Sequence, residues 1–191
     1  MPDVPTTAAT EHPVTLTEAK AHLRVEHDSE NAYIFTLIAA ATDEAERWTR
    51  RQFVTATWDE YLDAFPDTIL VKHPPLQSVT EIKYVDTEGV PQTLADTLYT
   101  VDAHSFKGRI VPAFGLSWPS VRSVVNAVQL TYKAGYGDDA ADVPAAIREA
   151  ILLRVGGFYL NHEDVVIGTI ATELPLASRC LLRPFRVVEA A

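Results

Sequence analysis

The sequence predicts an α+β protein: a helical body, an inserted antiparallel β-rich subdomain, and an extended C-terminal tail. Apolar residues recur at three- and four-residue steps in two separated stretches, which is the signature of buried helix faces. Between those stretches lie short segments rich in β-branched and aromatic residues, divided by turn-forming residues. After the second helical stretch the chain turns polar and then ends in a compact apolar run. The expected boundaries are a flexible arm over 1–13, a helical core over 14–54 and 141–165, a β-rich insert over 55–140, and a docking tail over 166–191.

Order begins at Thr15, where Thr15-Leu16-Thr17-Glu18 forms a capping box in which hydroxyl and carboxylate serve each other's backbone amides. A short helix follows over about 16–24, with Leu16, Ala19 and Leu23 on one side. Asp28 or Ser29 is placed to cap a longer helix reaching about Arg51. Its stripe is Tyr33, Ile34, Leu37, Ile38, Ala41, Ala45 and Trp48, and the charges Asp43, Glu44, Glu46, Arg47 and Arg50 read as a solvated face.

In the insert, strands are expected at Thr57–Leu62, Ile69–Lys72, Val79–Val85, Leu98–Val101, Arg109–Val111 and Val124–Tyr132. Phe65-Pro66-Asp67, His73-Pro74-Pro75 and Asp86-Thr87-Glu88-Gly89 supply the turns. Two-residue alternation at Val128, Leu130 and Tyr132 marks a half-buried antiparallel strand. Gly135-Tyr136-Gly137 reads as a turn needing positive φ. Helix resumes with Asp142 as cap and Pro144 in the first turn, and its stripe runs from Ile147 to Tyr159. The Gly156-Gly157 pair inside that stripe predicts close approach of another helix or a local bend.

Composition narrows the function classes. The chain has 191 residues, 47% hydrophobic and 22% charged, which suits a globular protein with a sizeable core. The net charge of −10 argues against a general nucleic-acid binder, which needs a basic face for phosphates. It is compatible with a conduit past which DNA slides. Met1 to His12 lacks a basic region followed by an apolar stretch and does not read as a secretory signal. No run approaches the length needed to span a bilayer. The lone Cys180 excludes an internal disulfide and is expected as a buried or half-exposed bystander.

Catalytic and metal motifs are missing where chemistry would need them. His162-Glu163-Asp164 lacks the second histidine of a helical metal site, and His27-Asp28-Ser29 is explained by capping. No nucleophile elbow, phosphate loop or paired-cysteine pattern occurs. We therefore expect no enzyme, no metal and no cofactor. The alternative is a small enzyme or ligand-binding domain with a β-rich pocket around Trp118 and Tyr136.

Three features look like interfaces. Trp118 lies in a long inter-strand region, where it either plugs the sheet or anchors a partner. Trp48, with Arg50 and Arg51, ends the long helix. The tail residues Leu181, Leu182, Arg183, Pro184, Phe185, Arg186 and Val187 are too apolar for a solvated end, so they fold back or insert into a partner. Pro184 disfavours helix at the preceding residue and predicts an extended end.

In their order along the chain, these pieces resemble the head–tail connector (adaptor, head-completion) proteins of tailed bacteriophages and gene transfer agents. The resemblance runs from Val14-Thr15-Leu16-Thr17-Glu18-Ala19-Lys20-Ala21-His22-Leu23-Arg24-Val25 through the Ala-rich helix ending Trp48-Thr49-Arg50-Arg51. It continues in Pro74-Pro75-Leu76-Gln77-Ser78-Val79, Ile82-Lys83-Tyr84-Val85-Asp86 and Thr131-Tyr132-Lys133-Ala134-Gly135-Tyr136-Gly137. Asp142-Val143-Pro144-Ala145-Ala146-Ile147 and Leu181-Leu182-Arg183-Pro184-Phe185-Arg186 complete it. The resemblance implies a non-enzymatic neck subunit of the virion, assembled in the bacterial cytoplasm. It implies a ring, usually of twelve copies, beneath the portal protein, with the C-terminal segment on the portal. A stopper or tail-side neck protein would bind the opposite face, and DNA would pass through the lumen without specific binding or membrane contact.

Overall fold

The computed structural model describes residues 5–161 and 177–188. It is α+β, as expected. The chain divides into two compact units, one of 1–10 and 55–136, the other of 11–54 and 137–191.

The helical unit contains α1 (Leu16–Leu23), α2 (Asn31–Thr49), α3 (Ala145–Leu160) and α4 (Ala177–Leu182). α1 starts where the sequence places it, because the Thr15 hydroxyl accepts from Glu18 N while Glu18 accepts from Thr15 N. That backbone bond, the Thr15 hydroxyl and the nearby Arg148 hold the Glu18 carboxyl below its ordinary range. α2 begins later than expected. Its N-cap position is Glu30, which makes no capping bond, and Asp28 instead accepts from Lys20 Nζ and Asn31 Nδ2. The α2 face is narrower than the sequence stripe: Ile34, Ile38, Ala41 and Ala45 are buried, whereas Tyr33 is exposed.

α3 contributes Ile147, Ala150, Ile151 and Val155 to the same core and packs against α2 and α4. Pro144 takes the N-cap position and Asp142 closes the preceding 3-10 turn, so the helix starts just after the expected cap. The glycine pair is not a site of tight helix contact. A Cβ at Gly156 would meet only the His22 ring at 3.4 Å, and one at Gly157 would meet nothing within 4 Å.

The sheet unit holds β1 (Ala56–Leu62), β2 (Ile69–Leu70), β3 (Leu76–Val85), β4 (Pro91–Thr93), β5 (Tyr99–Asp102), β6 (Arg109–Pro112) and β7 (Val128–Ala134). Pairing is antiparallel throughout, in the orders β1-β7-β3-β4 and β2-β6-β5. β4, which the sequence reading misses, pairs with β3 across a turn in which the Asp86 carboxylate accepts from Glu88 N and Val90 N. β7 begins at Val128 rather than Val124. Asn126 adopts φ 58, and its N–H donates to Asp63 Oδ1, which turns the chain before the strand. Gly135 ends β7 at φ 136, the conformation expected of it. The core between the sheets includes Trp58, Ile82, Ile110, Leu130 and Tyr132. The N-terminal stretch joins this unit through Thr7, which exchanges two backbone hydrogen bonds with Thr57.

Candidate functional site: the C-terminal segment and the surfaces around it

The C-terminal segment is not extended where the sequence expects it to be. Ala177–Leu182 form α4 and Arg183–Phe185 a 3-10 turn; extended backbone begins at Arg186. Pro184 falls in the first turn of the 3-10 helix, where its missing N–H leaves no bond unmade and its fixed φ suits the turn. Cys180 is exposed rather than buried.

This segment is fastened to the helical unit by two apolar plugs, one backbone–backbone hydrogen bond and one hydrogen bond from a side chain to its backbone. Leu182 and Val187 are 4% and 3% exposed. Val187 N donates to Thr49 O at 2.9 Å, and Arg51 Nε donates to Phe185 O at 2.6 Å. The Arg186 guanidinium lies 5.1 Å from the centre of the Trp48 ring, within cation–π reach. The end of α2 therefore serves as the seat of the segment. Arg50 takes the left-handed C-cap conformation and is exposed, while the neighbouring Arg51 is buried.

Among the residues expected to dock on a partner, Leu182 and Val187 turn inward. Arg183, Pro184 and Arg186 turn outward, and Leu181 and Phe185 are half-buried. Trp48 and Arg51 join them in one cluster; Trp118 belongs to the other unit. There Trp118 is half-buried and stacked on Phe65, with centroids 4.7 Å apart and planes 9° from parallel. Its buried Nε1 has no hydrogen-bond partner.

The α2 charges are not all solvated. Glu44 accepts a forked interaction from Arg154 at 2.5–2.8 Å. Glu46 is largely buried beneath the turn after α2, where its carboxylate accepts from Phe53 N at 2.8 Å and Gln52 Nε2 at 2.9 Å. Burial is the largest influence and pushes the Glu46 carboxyl up to about 7, against the opposing bond from Phe53 N. Glu46 thus steadies the 51–53 turn, from which Arg51 reaches the C-terminal segment. Sequence spacing offers no signal for this, because the partners of Glu46 lie past the end of its own helix.

In the sheet unit, a cavity of about 240 Å³ is bordered by Trp58, Asp59, Glu60, Tyr61, Lys72, His73 and Tyr132. Neither Trp118 nor Tyr136 borders it. His162-Glu163-Asp164 lies outside the described residues, as does the stretch before α4.

The family model for phage gp6-like head–tail connector proteins matches residues 13–109, just over half of the chain. The chain belongs to the phage gp6-like head–tail connector family. The connector's whole length also superposes on solved structures. One is from the neck of an empty gene transfer agent particle computed with C6 symmetry, at 22% identity and TM-score 0.83. Another, from the virion of a native gene transfer agent particle, is 21% identical with TM-score 0.83. A third, from the neck of a native particle computed with C12 symmetry, is 21% identical with TM-score 0.76. Each match covers 100% of the connector and 98% of the other chain, and at these identities it establishes the fold. No curated protein matches the sequence. The connector's role is that of a structural adaptor of the particle neck.

Proposed function

We propose that the connector assembles as a ring beneath the portal of a phage or gene transfer agent particle. There it joins the DNA-filled head to the tail and carries no catalytic activity. The observation that best supports the reading is the C-terminal segment. Two residues plug it into the helical unit, while Arg183, Pro184, Arg186 and the 77%-exposed Val188 face outward. A basic and apolar outward face on a chain of net charge −10 is suited to a partner rather than to water. The portal protein is the partner that the family's position between head and tail supplies. Repetition of this weak contact around a closed ring makes it avid. The acidic balance leaves DNA free to slide through the lumen without specific binding. A stopper or tail-side neck protein takes the opposite face of the ring, and assembly is completed in the bacterial cytoplasm.

Native mass spectrometry of the connector with and without portal protein tests this. The expected result is a monomer or weak oligomer alone and a closed ring, near twelve copies, on the portal. A connector that stays unassembled in the presence of portal would overturn the reading.

A further inference from the structure

The C-terminal segment carries a row of arginines beside its buried stripe. Ser178 and Leu182, four residues apart, turn inward and are 3% and 4% exposed. Arg179 and Arg183 stand at the same four-residue step, on α4 and on the 3-10 turn that continues it. Arg186 follows three residues later as the C-cap of that turn, and its N–H donates to Arg183 O. Residues three and four apart on a helical run are neighbours on one face, with Cβ atoms about 5–6 Å apart. All three arginines are exposed.

Their lack of counter-charge sets them apart. The chain has 26 acidic residues for 16 basic ones, and Arg47, Arg109, Arg148 and Arg154 each hold a carboxylate. Among the described residues, no carboxylate pairs with Arg179, Arg183 or Arg186, and no acceptor takes a hydrogen bond from their guanidinium groups. The Trp48 ring, its centre 5.1 Å away, steadies the Arg186 guanidinium without using up its N–H groups. Like charges at these spacings disfavour a helical run, so the row does nothing for the fold that carries it.

Chemistry decides the occupant. All three cations are arginines, whose planar fork meets a carboxylate or a phosphate through two parallel bonds. Two observations favour protein over nucleic acid. Exposed Pro184 and the 77%-exposed Val188 lie among the arginines, with half-buried Leu181 and Phe185 beside them, and a phosphate backbone has nothing to match that apolar surface. The net charge of −10 also repels a DNA duplex. We propose that the row of Arg179, Arg183 and Arg186 receives an acidic segment of the partner protein, whose carboxylates pair with the three guanidinium groups while its apolar side chains cover Pro184 and Val188. This rests on the reading of the C-terminal segment as a docking face and names the chemistry of what docks there.

The test is fluorescence anisotropy of the full chain with three labelled probes: a blocked peptide alternating glutamate and valine, its glutamine–valine counterpart, and a short DNA duplex. The glutamate peptide should bind about tenfold or more tightly than either of the others, as charge-assisted hydrogen bonds allow, and should weaken as salt is added. Arg179→Gln, Arg183→Gln and Arg186→Gln combined should erase that preference with an unchanged melting temperature, because all three side chains are exposed. Lys107→Gln, Arg122→Gln and Lys133→Gln combined alter the net charge equally and should keep it. Equal affinity for the two peptides overturns the proposal. So does tighter binding of the duplex, which would make the occupant nucleic acid, or an equal loss in both triple variants, which net charge alone would explain. Co-sedimentation with portal rings separates the proposal from the docking reading. Portal binding that persists without the three arginines overturns the acidic segment and leaves docking intact. Failure of the unaltered connector to bind portal overturns the docking reading, and the peptide preference then judges the row by itself.

Discussion

The two units finish their surfaces differently. The helical unit turns charged groups onto itself: Arg154 on Glu44, Arg148 on Glu18, Tyr159 on Glu30, and Arg51 on the backbone of the C-terminal segment. The sheet unit leaves groups outward, with Phe114 fully exposed and Phe106 and Leu116 at least half exposed, and among the described residues no backbone pairs with the β1 edge beyond Thr57. A unit cross-tied in this way is suited to hold a fixed shape. The helical unit also exposes Phe35 and Leu160, so the fully exposed Phe114 and the edge position of β1 are what set the sheet unit apart.

The largest effect should come from breaking the helical core. Ile151→Ala empties a fully buried position and should cost about 2–5 kcal/mol, read from denaturant unfolding.

Acidity should separate the units next. Burial raises the folded-state pKa of Glu46 to about 7 from the ordinary 4.5, so the fold prefers its protonated form. Stability from this site is therefore full at low pH and declines as pH rises from about 4.5 through 7, by up to ~3 kcal/mol. The nearby Asp43 carboxylate adds to the shift. Glu46→Gln, which retains the acceptor oxygen, should flatten that slope in a melting-temperature series. In the sheet unit, Asp102 is held below its usual range by the Ser105 hydroxyl and then by Arg109. Its contribution is present above the unfolded value of 3.8 and is lost on acidification below it. The Glu46→Gln variant should keep that acid-side loss.

A smaller loss, about 1 kcal/mol, is expected for Arg154→Ala, since the Arg154–Glu44 fork is strong in geometry but partly screened by solvent. The smallest is Phe114→Ser at the exposed tip, within about 0.5 kcal/mol of unchanged. A loss of several kcal/mol there would show that the tip is buried in the folded chain.

Features written in neighbouring residues were legible from sequence. The Thr15–Glu18 capping box, the α3 stripe and the β7 alternation are local patterns, and the structure contains each. Features that need a distant partner were not. Glu44 looks solvated until Arg154, 110 positions away, folds onto it. Asp28 has the chemistry of a cap, yet Lys20 and Asn31 take its carboxylate first. The rule that proline disfavours helix before it suggested an extended end, but a 3-10 turn accommodates Pro184 without breaking the run. The β1 edge could not be read at all, because exposure of an edge depends on strand order.

Portal binding by a connector altered only on the outward face of its C-terminal segment tests the account most directly. Arg183→Glu combined with Val188→Asp leaves Leu182, Val187 and the Thr49 bond in place. The account predicts an unchanged melting temperature for this variant and loss of co-sedimentation with portal rings; a chain truncated after residue 173 should lose co-sedimentation too, but with a lowered melting temperature, because buried Leu182 and Val187 go with it. Undiminished portal binding by both proteins would contradict it.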